Sequence, residues 1–127
     1  MAKTFINTPD APAAIGIYSQ AVAANGCLYI SGQIPLVPES MALVSEDIGQ
    51  QIEQVFNNLK AICLAAGTNL DQAIKFNIYL IDLGHFAKVN TYMEGLLQAP
   101  YPARAVVEVS ALPKNVQIEI DAIIDLT

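Results

Sequence analysis

One arginine and one glutamate near the C-terminal end, Arg104 and Glu119, are the residues whose types and spacing could do chemistry. They lie within Ala99–Ile124, where two runs with strand periodicity, Ala103–Ser110 and Val116–Ile124, flank the turn signal Leu112-Pro113-Lys114-Asn115. In the first run Arg104, Val106, Glu108 and Ser110 alternate with Ala103, Ala105, Val107 and Val109; in the second Gln117, Glu119 and Asp121 alternate with Val116, Ile118, Ile120 and Ala122. Paired as a hairpin, the runs would give one greasy face and one carrying an arginine and several carboxylates. Only 14% of the chain is charged, so this grouping stands out. The planar fork of an arginine suits a small carboxylate held by two parallel hydrogen bonds. A glutamate nearby can orient or deprotonate a water. The same two residue types also fit an ion pair that satisfies charge at a subunit interface. A tight hairpin around Pro113 would set Glu119 nearer Glu108 than Arg104, with room for a ligand between the two.

Other chemistries have less to build on. The single histidine, His85, falls at the start of a helical segment, where a solvated surface residue is the ordinary reading. One histidine with two scattered cysteines, Cys27 and Cys63, offers no zinc-ligand spacing. No nucleophile elbow, phosphate loop or dinucleotide fingerprint occurs, and nothing marks a Ser-His-Asp triad.

The elements that must position Arg104 and Glu119 follow from periodicity. Thr8–Ile17, with Pro9 and Pro12, reads as an irregular lead-in. Tyr18–Ala24 and Cys27–Ser31 flank Asn25-Gly26, a two-residue hairpin signal, because both turn positions call for positive φ. The second strand runs into Ser31-Gly32-Gln33-Ile34-Pro35, where Gly32 would let a ligand approach the backbone. Ser45 reads as a helix cap with Glu46 and Asp47 in the first turn. Ile48, Ile52, Val55, Phe56, Leu59, Ile62, Cys63 and Ala66 then follow helical spacing up to a stop at Gly67. Ile74–Ile81 alternates as a strand. Asp82–Gln98 reads as a second helix with Phe86, Val89, Met93, Leu96 and Leu97 inward. The order β-β-α-β-α-β-β predicts an α+β fold, a mixed sheet with two helices on one face. The uncovered face would hold Tyr79, Val106, Ile123 and Tyr29.

Composition bounds the rest. At 127 residues the chain is expected to form one domain over 1–127. An apolar fraction of 54% exceeds what so small a monomer can hide, which points to self-association. A net charge of −6 disfavours nucleic acid as a partner. No apolar run reaches the ~20 residues of a membrane span, and the N-terminus lacks the apolar core of a signal peptide. Two cysteines without an export signal fit a reducing, cytoplasmic setting.

With these residues in view the sequence resembles the Rid family of small trimeric proteins, also called the YjgF/YER057c/UK114 family, and its enamine/imine deaminase branch. The matching blocks are Ala11–Gly16 (APAAIG) with Tyr18 and Gln20, Ser31–Pro35 (SGQIP), Asn58–Gly67 (NLKAICLAAG), Asp82-Leu83 with Phe86 and Val89-Asn90, Pro102–Val109 (PARAVVEV) and Leu112–Ile123 (LPKNVQIEIDAI). The last two together are highly specific. The resemblance implies a chorismate-mutase-like fold whose sheets pack into the central barrel of a homotrimer, with a ligand cleft at each subunit interface. It implies hydrolysis of 2-imino or enamine acids, such as 2-iminobutanoate and 2-iminopropanoate, to 2-keto acids and ammonia, with no metal and no cofactor. Carried over, Arg104 would clamp the carboxylate, Glu119 would position the attacking water and Tyr18 would bring its hydroxyl near the imine. Ser31 and Gly32 would line the cleft, with Asn90 a polar residue beside it. Val106 stands where the branch commonly has cysteine and would act on substrate preference. Ile17 replaces the usual proline before the tyrosine, and Gly95–Tyr101 is slightly short. A non-catalytic sensor of 2-keto acids, or a holdase chaperone or ribonuclease, are the alternative roles; Arg104 serves enzyme and sensor alike, whereas Glu119 favours the enzyme.

Overall fold

The structure is a computed structural model and describes residues 2–127. Six strands form one sheet: β1 (Thr4–Ile6), β2 (Ala21–Ala24), β3 (Cys27–Gln33), β4 (Ala73–Leu80), β5 (Ala103–Glu108) and β6 (Ile118–Asp125). Helix α1 (Ile48–Ala65) lies between β3 and β4 in the chain, and α2 (Phe86–Leu96) between β4 and β5. The sheet order is β1-β2-β3-β6-β4-β5. Only the β4–β5 pair is parallel, as the crossover through α2 requires. The mixed sheet with two helices on one face is as expected, with one strand more. The addition, β1, pairs with β2 at the sheet edge. Three residues, Thr4-Phe5-Ile6, are too short a run for periodicity to reveal.

Each helix forms for reasons that can be named. Asp47, not Ser45, caps α1: its carboxylate accepts from the Gln50 amide at 2.9 Å. Ser45 stands two residues upstream, its hydroxyl accepting from the Asp47 amide at 2.8 Å. Ile48, Ile52, Val55, Phe56, Leu59, Ile62 and Cys63 bury one stripe against the sheet. Gly67, at φ +80°, ends the helix; its amide donates to Leu64 and that of Thr68 to Cys63, the paired bonds of a Schellman turn. The second helical segment is divided. Asp82 caps a 3₁₀ turn, Leu83–His85, and α2 proper begins at Phe86. Phe56 joins the layers, meeting Phe76 of β4 edge-on at 5.8 Å and stacking on Tyr92 of α2 at 5.2 Å. Cys63 is a core residue, and burial pushes its thiol up to about 12. Both cysteines are unpaired.

At Asn25-Gly26 the hairpin forms as read, with φ of 52° and 77°. The expected hairpin between the last two strands does not form. β4 inserts between β5 and β6, with Phe76 opposite both Arg104 and Ala122 and Tyr79 opposite both Val107 and Glu119. Alternation within each strand is as read, but the faces of the two strands are reversed relative to one another. Arg104 and Val106 share the helix-covered face with Phe76, Ile78, Ile118 and Ile120, and Val106 packs on that core. Glu119 and Asp121 share the uncovered face with Ala103, Ala105 and Val107. That face also presents Tyr79, Ile123 and Tyr29, but not Val106. No helix among the described residues is long and apolar enough to cross a membrane.

Candidate functional site

The two residues best suited to chemistry occupy different hollows. Arg104, on the edge strand β5, turns under α2. One guanidinium nitrogen, Nη1, donates to Asn90 Oδ1 at 2.6 Å and lies 3.8 Å from Met93 Sδ. The guanidinium carbon lies 5.2 Å from the centre of the Phe86 ring. Beside the group is a cavity of about 330 Å³ walled by Asn90, Met93, Glu94, Leu97, Tyr101, Pro102 and Arg104. Among the described residues no carboxylate pairs with Arg104, so its charge is available to a ligand. A chain with a single arginine places it beside a hollow large enough for a small acid.

Glu119 lies at a second cavity, of about 450 Å³, bordered by Tyr18, Gly32, Met41, Lys114 and the apolar residues Ile15 and Leu36. Its carboxylate rests against Gly32: a Cβ there would sit 2.9 Å from Glu119 Cδ and collide with Oε2. Glycine here gives the Glu119 carboxylate its place against the backbone; a side chain would have to push that carboxylate aside. The Glu119 carboxyl is pushed up from the ordinary glutamate value, first by burial and then by the charge of Asp121. Asp121 is held by Asn77 Nδ2 at 2.8 Å and the Tyr79 hydroxyl at 3.0 Å. A glutamate moved toward neutrality is better matched to giving and taking protons.

Tyr18 reaches the same hollow from the lead-in loop, its ring passing the backbone of Gly16, which adopts φ +133°. Two polar side chains hold this loop. Gln20 is buried; its amide nitrogen donates to the carbonyls of Thr8 and Pro12 at 3.0 and 2.9 Å, and its oxygen accepts from the Thr8 amide at 2.7 Å. Ser31 donates through its hydroxyl to the Ser19 carbonyl at 2.6 Å. Across the cavity, Asn58 of α1 donates to the carbonyls of Ile34 and Leu36 at 3.2 and 3.1 Å and fixes the opposite wall.

The structure thus brings Tyr18, Gly32 and Glu119 together and, apart from them, Arg104 with Asn90. Ser31 anchors the loop, and Val106 lines neither hollow. The residues around the two hollows that the sequence did not mark as site residues include Phe86 beneath the guanidinium, Glu94 and Tyr101 at the Arg104 cavity, and Lys114 and Met41 at the Glu119 cavity. Phe86 carried a signal, since it precedes Asn90 by one helical turn. Lys114 and Met41 carried none; both take positive φ in loops.

Comparison with known proteins bears on the family and the fold. The sequence profile of the family described as Endoribonuclease L-PSP matches residues 8–125. The 2-iminobutanoate/2-iminopropanoate deaminase of Bos taurus is 39% identical over 123 residues, 97% of this chain and 90% of that protein. The crystal structure of RidA from the Antarctic bacterium Psychrobacter sp. PAMC 21119 is 50% identical and superposes with a TM-score of 0.92 over 96% of this chain and 98% of that one. That of E. coli TdcF with bound serine is 37% identical, with a TM-score of 0.89 over 98% and 99%. A profile match across nearly the whole chain, with full-length likeness in sequence and fold, means that this protein belongs to the Rid family, also called YjgF/YER057c/UK114.

Proposed function

We propose that the protein hydrolyses reactive 2-imino and enamine acids, 2-iminobutanoate and 2-iminopropanoate among them, to 2-keto acids and ammonia, in clefts between the protomers of a homotrimer. The observation that carries this reading is the division of the site. Arg104 and Glu119 lie on opposite faces of one sheet, in strands separated by β4, each at its own hollow. Neither hollow alone holds both the arginine fork and the half-buried Glu119 carboxylate: Arg104 shares its hollow with Glu94, and Glu119 shares its own with Lys114. A neighbouring copy that sets its Glu119 hollow against the Arg104 hollow completes the set. The deaminase name of a full-length relative and the serine bound to another support a small amino-acid-derived substrate. Two unpaired cysteines suit a reducing, cytoplasmic setting.

In the proposed reaction Arg104 grips the carboxylate through two N–H donors, and Tyr18 directs its hydroxyl toward the imine nitrogen. An enamine first gains a proton on carbon to become the imine. Water adds to the C=N carbon while Glu119 takes one of its protons and passes it to the imine nitrogen, giving the carbinolamine. The hydroxyl proton then passes to nitrogen as the C–N bond breaks, and ammonia leaves the keto acid. Imines hydrolyse unaided, so orientation and a few fixed charges suffice. Val106, which packs on the core and lines neither hollow, would act on substrate preference indirectly.

The test couples the protein to a pyridoxal-phosphate dehydratase that releases the imine and follows keto-acid formation. Wild type should accelerate it. Arg104→Ala forfeits a charged bidentate contact worth about 1.5–3 kcal/mol and should lower the rate roughly ten- to a hundredfold. Equal rates for the two would refute the assignment. A keto-acid sensor would bind 2-oxobutanoate without accelerating its release.

A further inference from the structure

Arg104 is the only arginine in the chain, and one face of α2 takes hold of it. Phe86, Asn90 and Met93 recur at i, i+4 and i+7. Phe86 lies under the guanidinium plane, Asn90 accepts from Nη1, and the Met93 sulfur lies beside the same nitrogen. Nε and Nη2, which form the other edge of the fork, have no partner among the described residues. Asn90 and Met93 also wall the adjacent cavity, whereas Phe86 does not.

We infer that Phe86 and Asn90 are positioning residues, which fix the plane and the free edge of the Arg104 fork so that Nε and Nη2 together receive a substrate carboxylate. This rests on the reading of Arg104 as the carboxylate clamp. A guanidinium on an edge strand would otherwise swing through many rotamers and lose that freedom on binding. The aromatic face sets the plane. The amide oxygen satisfies one N–H without cancelling the positive charge, which a carboxylate at the same place would do. Asn90, though it also walls the cavity, thus serves the substrate through Arg104.

The chemistry sets this role apart from simple structural support. Aspartate at position 90 would keep the hydrogen bond and strengthen it, so a structural role would survive Asn90→Asp. A positioning role would not, because the fork would be neutralised from within.

The experiment measures kcat and KM with 2-iminobutanoate generated in situ by a threonine dehydratase, for wild type, Phe86→Leu, Phe86→Tyr, Asn90→Ala, Asn90→Asp and Arg104→Ala. Melting temperatures and the ¹⁵N spectrum of the Arg104 Nε–H, a single resonance, accompany it. Phe86→Leu and Asn90→Ala should raise KM about three- to tenfold with kcat within about twofold. Phe86→Tyr should restore wild-type KM, and Asn90→Asp should raise KM beyond the alanine variant. The Nε–H resonance should move in Phe86→Leu as the ring current is lost. Unchanged KM in Phe86→Leu and Asn90→Ala, wild-type KM in Asn90→Asp, or an unmoved resonance would each overturn the inference. If Arg104→Ala itself matched wild type, the clamp reading would fail first; if Arg104→Ala were slow while the Phe86 and Asn90 variants matched wild type, the positioning role alone would fail.

Discussion

Gly32 and Glu119 are in such close contact that a single added methyl separates them. Gly32→Ala puts a Cβ into the Glu119 carboxylate and must drive it aside. A base misplaced by about 1 Å can lose on the order of 100-fold in rate, so keto-acid release by Gly32→Ala should fall at least about tenfold. Circular dichroism should show the fold retained, because the shift is confined to one cavity. The raised Glu119 carboxyl has a second consequence. A carboxyl whose value is higher folded than unfolded binds more protons in the folded state, so its contribution to stability falls as pH rises through that interval. Glu119→Gln should therefore melt above wild type at pH 7, with the difference shrinking as pH falls toward the ordinary glutamate value. A gain that grew on acidification would contradict the sign. At this scale the sequence was informative where chemistry is local. The types of Arg104 and Glu119 were legible; at Gly32 the sequence suggested close approach by a ligand, whereas the Glu119 side chain of the same chain occupies that space. The partners of Arg104 were not, since they depend on how α2 lies over β5.

Helices and hairpins with strong local signals were readable in advance: the apolar stripe of α1, its Gly67 stop and the Asn25-Gly26 turn. The pairing of β5 and β6 was not. Two strands joined by a short turn usually pair, and no local feature of either records that β4, from earlier in the chain, inserts between them. That long-range pairing puts Arg104 and Glu119 on opposite faces. Loops around the Glu119 hollow depend on buried amides as well as on the buried side chains of Ala11 and Leu36. Gln20→Ala would leave the Thr8 amide and carbonyl without their partner, at a cost of about 1–3 kcal/mol for each buried group left unpaired. Chemical denaturation should register the loss, and activity of the surviving folded fraction should fall because Tyr18 is carried on the same loop. Undiminished stability would mean that water replaces the amide freely.

For the molecule as a whole, the uncovered sheet face requires explanation. Phe5, Tyr29 and Val107 are 64%, 47% and 45% exposed there, alongside Ile123 and Ala105. So much apolar surface on a 13.6 kDa chain is the mark of a face made to be covered. Sedimentation equilibrium should give three times the mass of one chain, and Val107→Glu should lower it. A monomer at micromolar concentration would remove the composite cleft altogether. The excess hydrophobicity was legible in the sequence; which residues of which copy would meet was not.

The sharing of the site between copies is the central claim, and complementation tests it most directly. Arg104→Ala and Glu119→Ala, each inactive alone, are unfolded together in equal amounts, refolded and assayed for keto-acid release. If Arg104 of one copy works with Glu119 of another, random assembly restores intact clefts and about a quarter of the wild-type rate. If the mixture stays as inactive as its two components while wild type recovers from the same treatment, the two residues do not act across a shared cleft and the account is wrong.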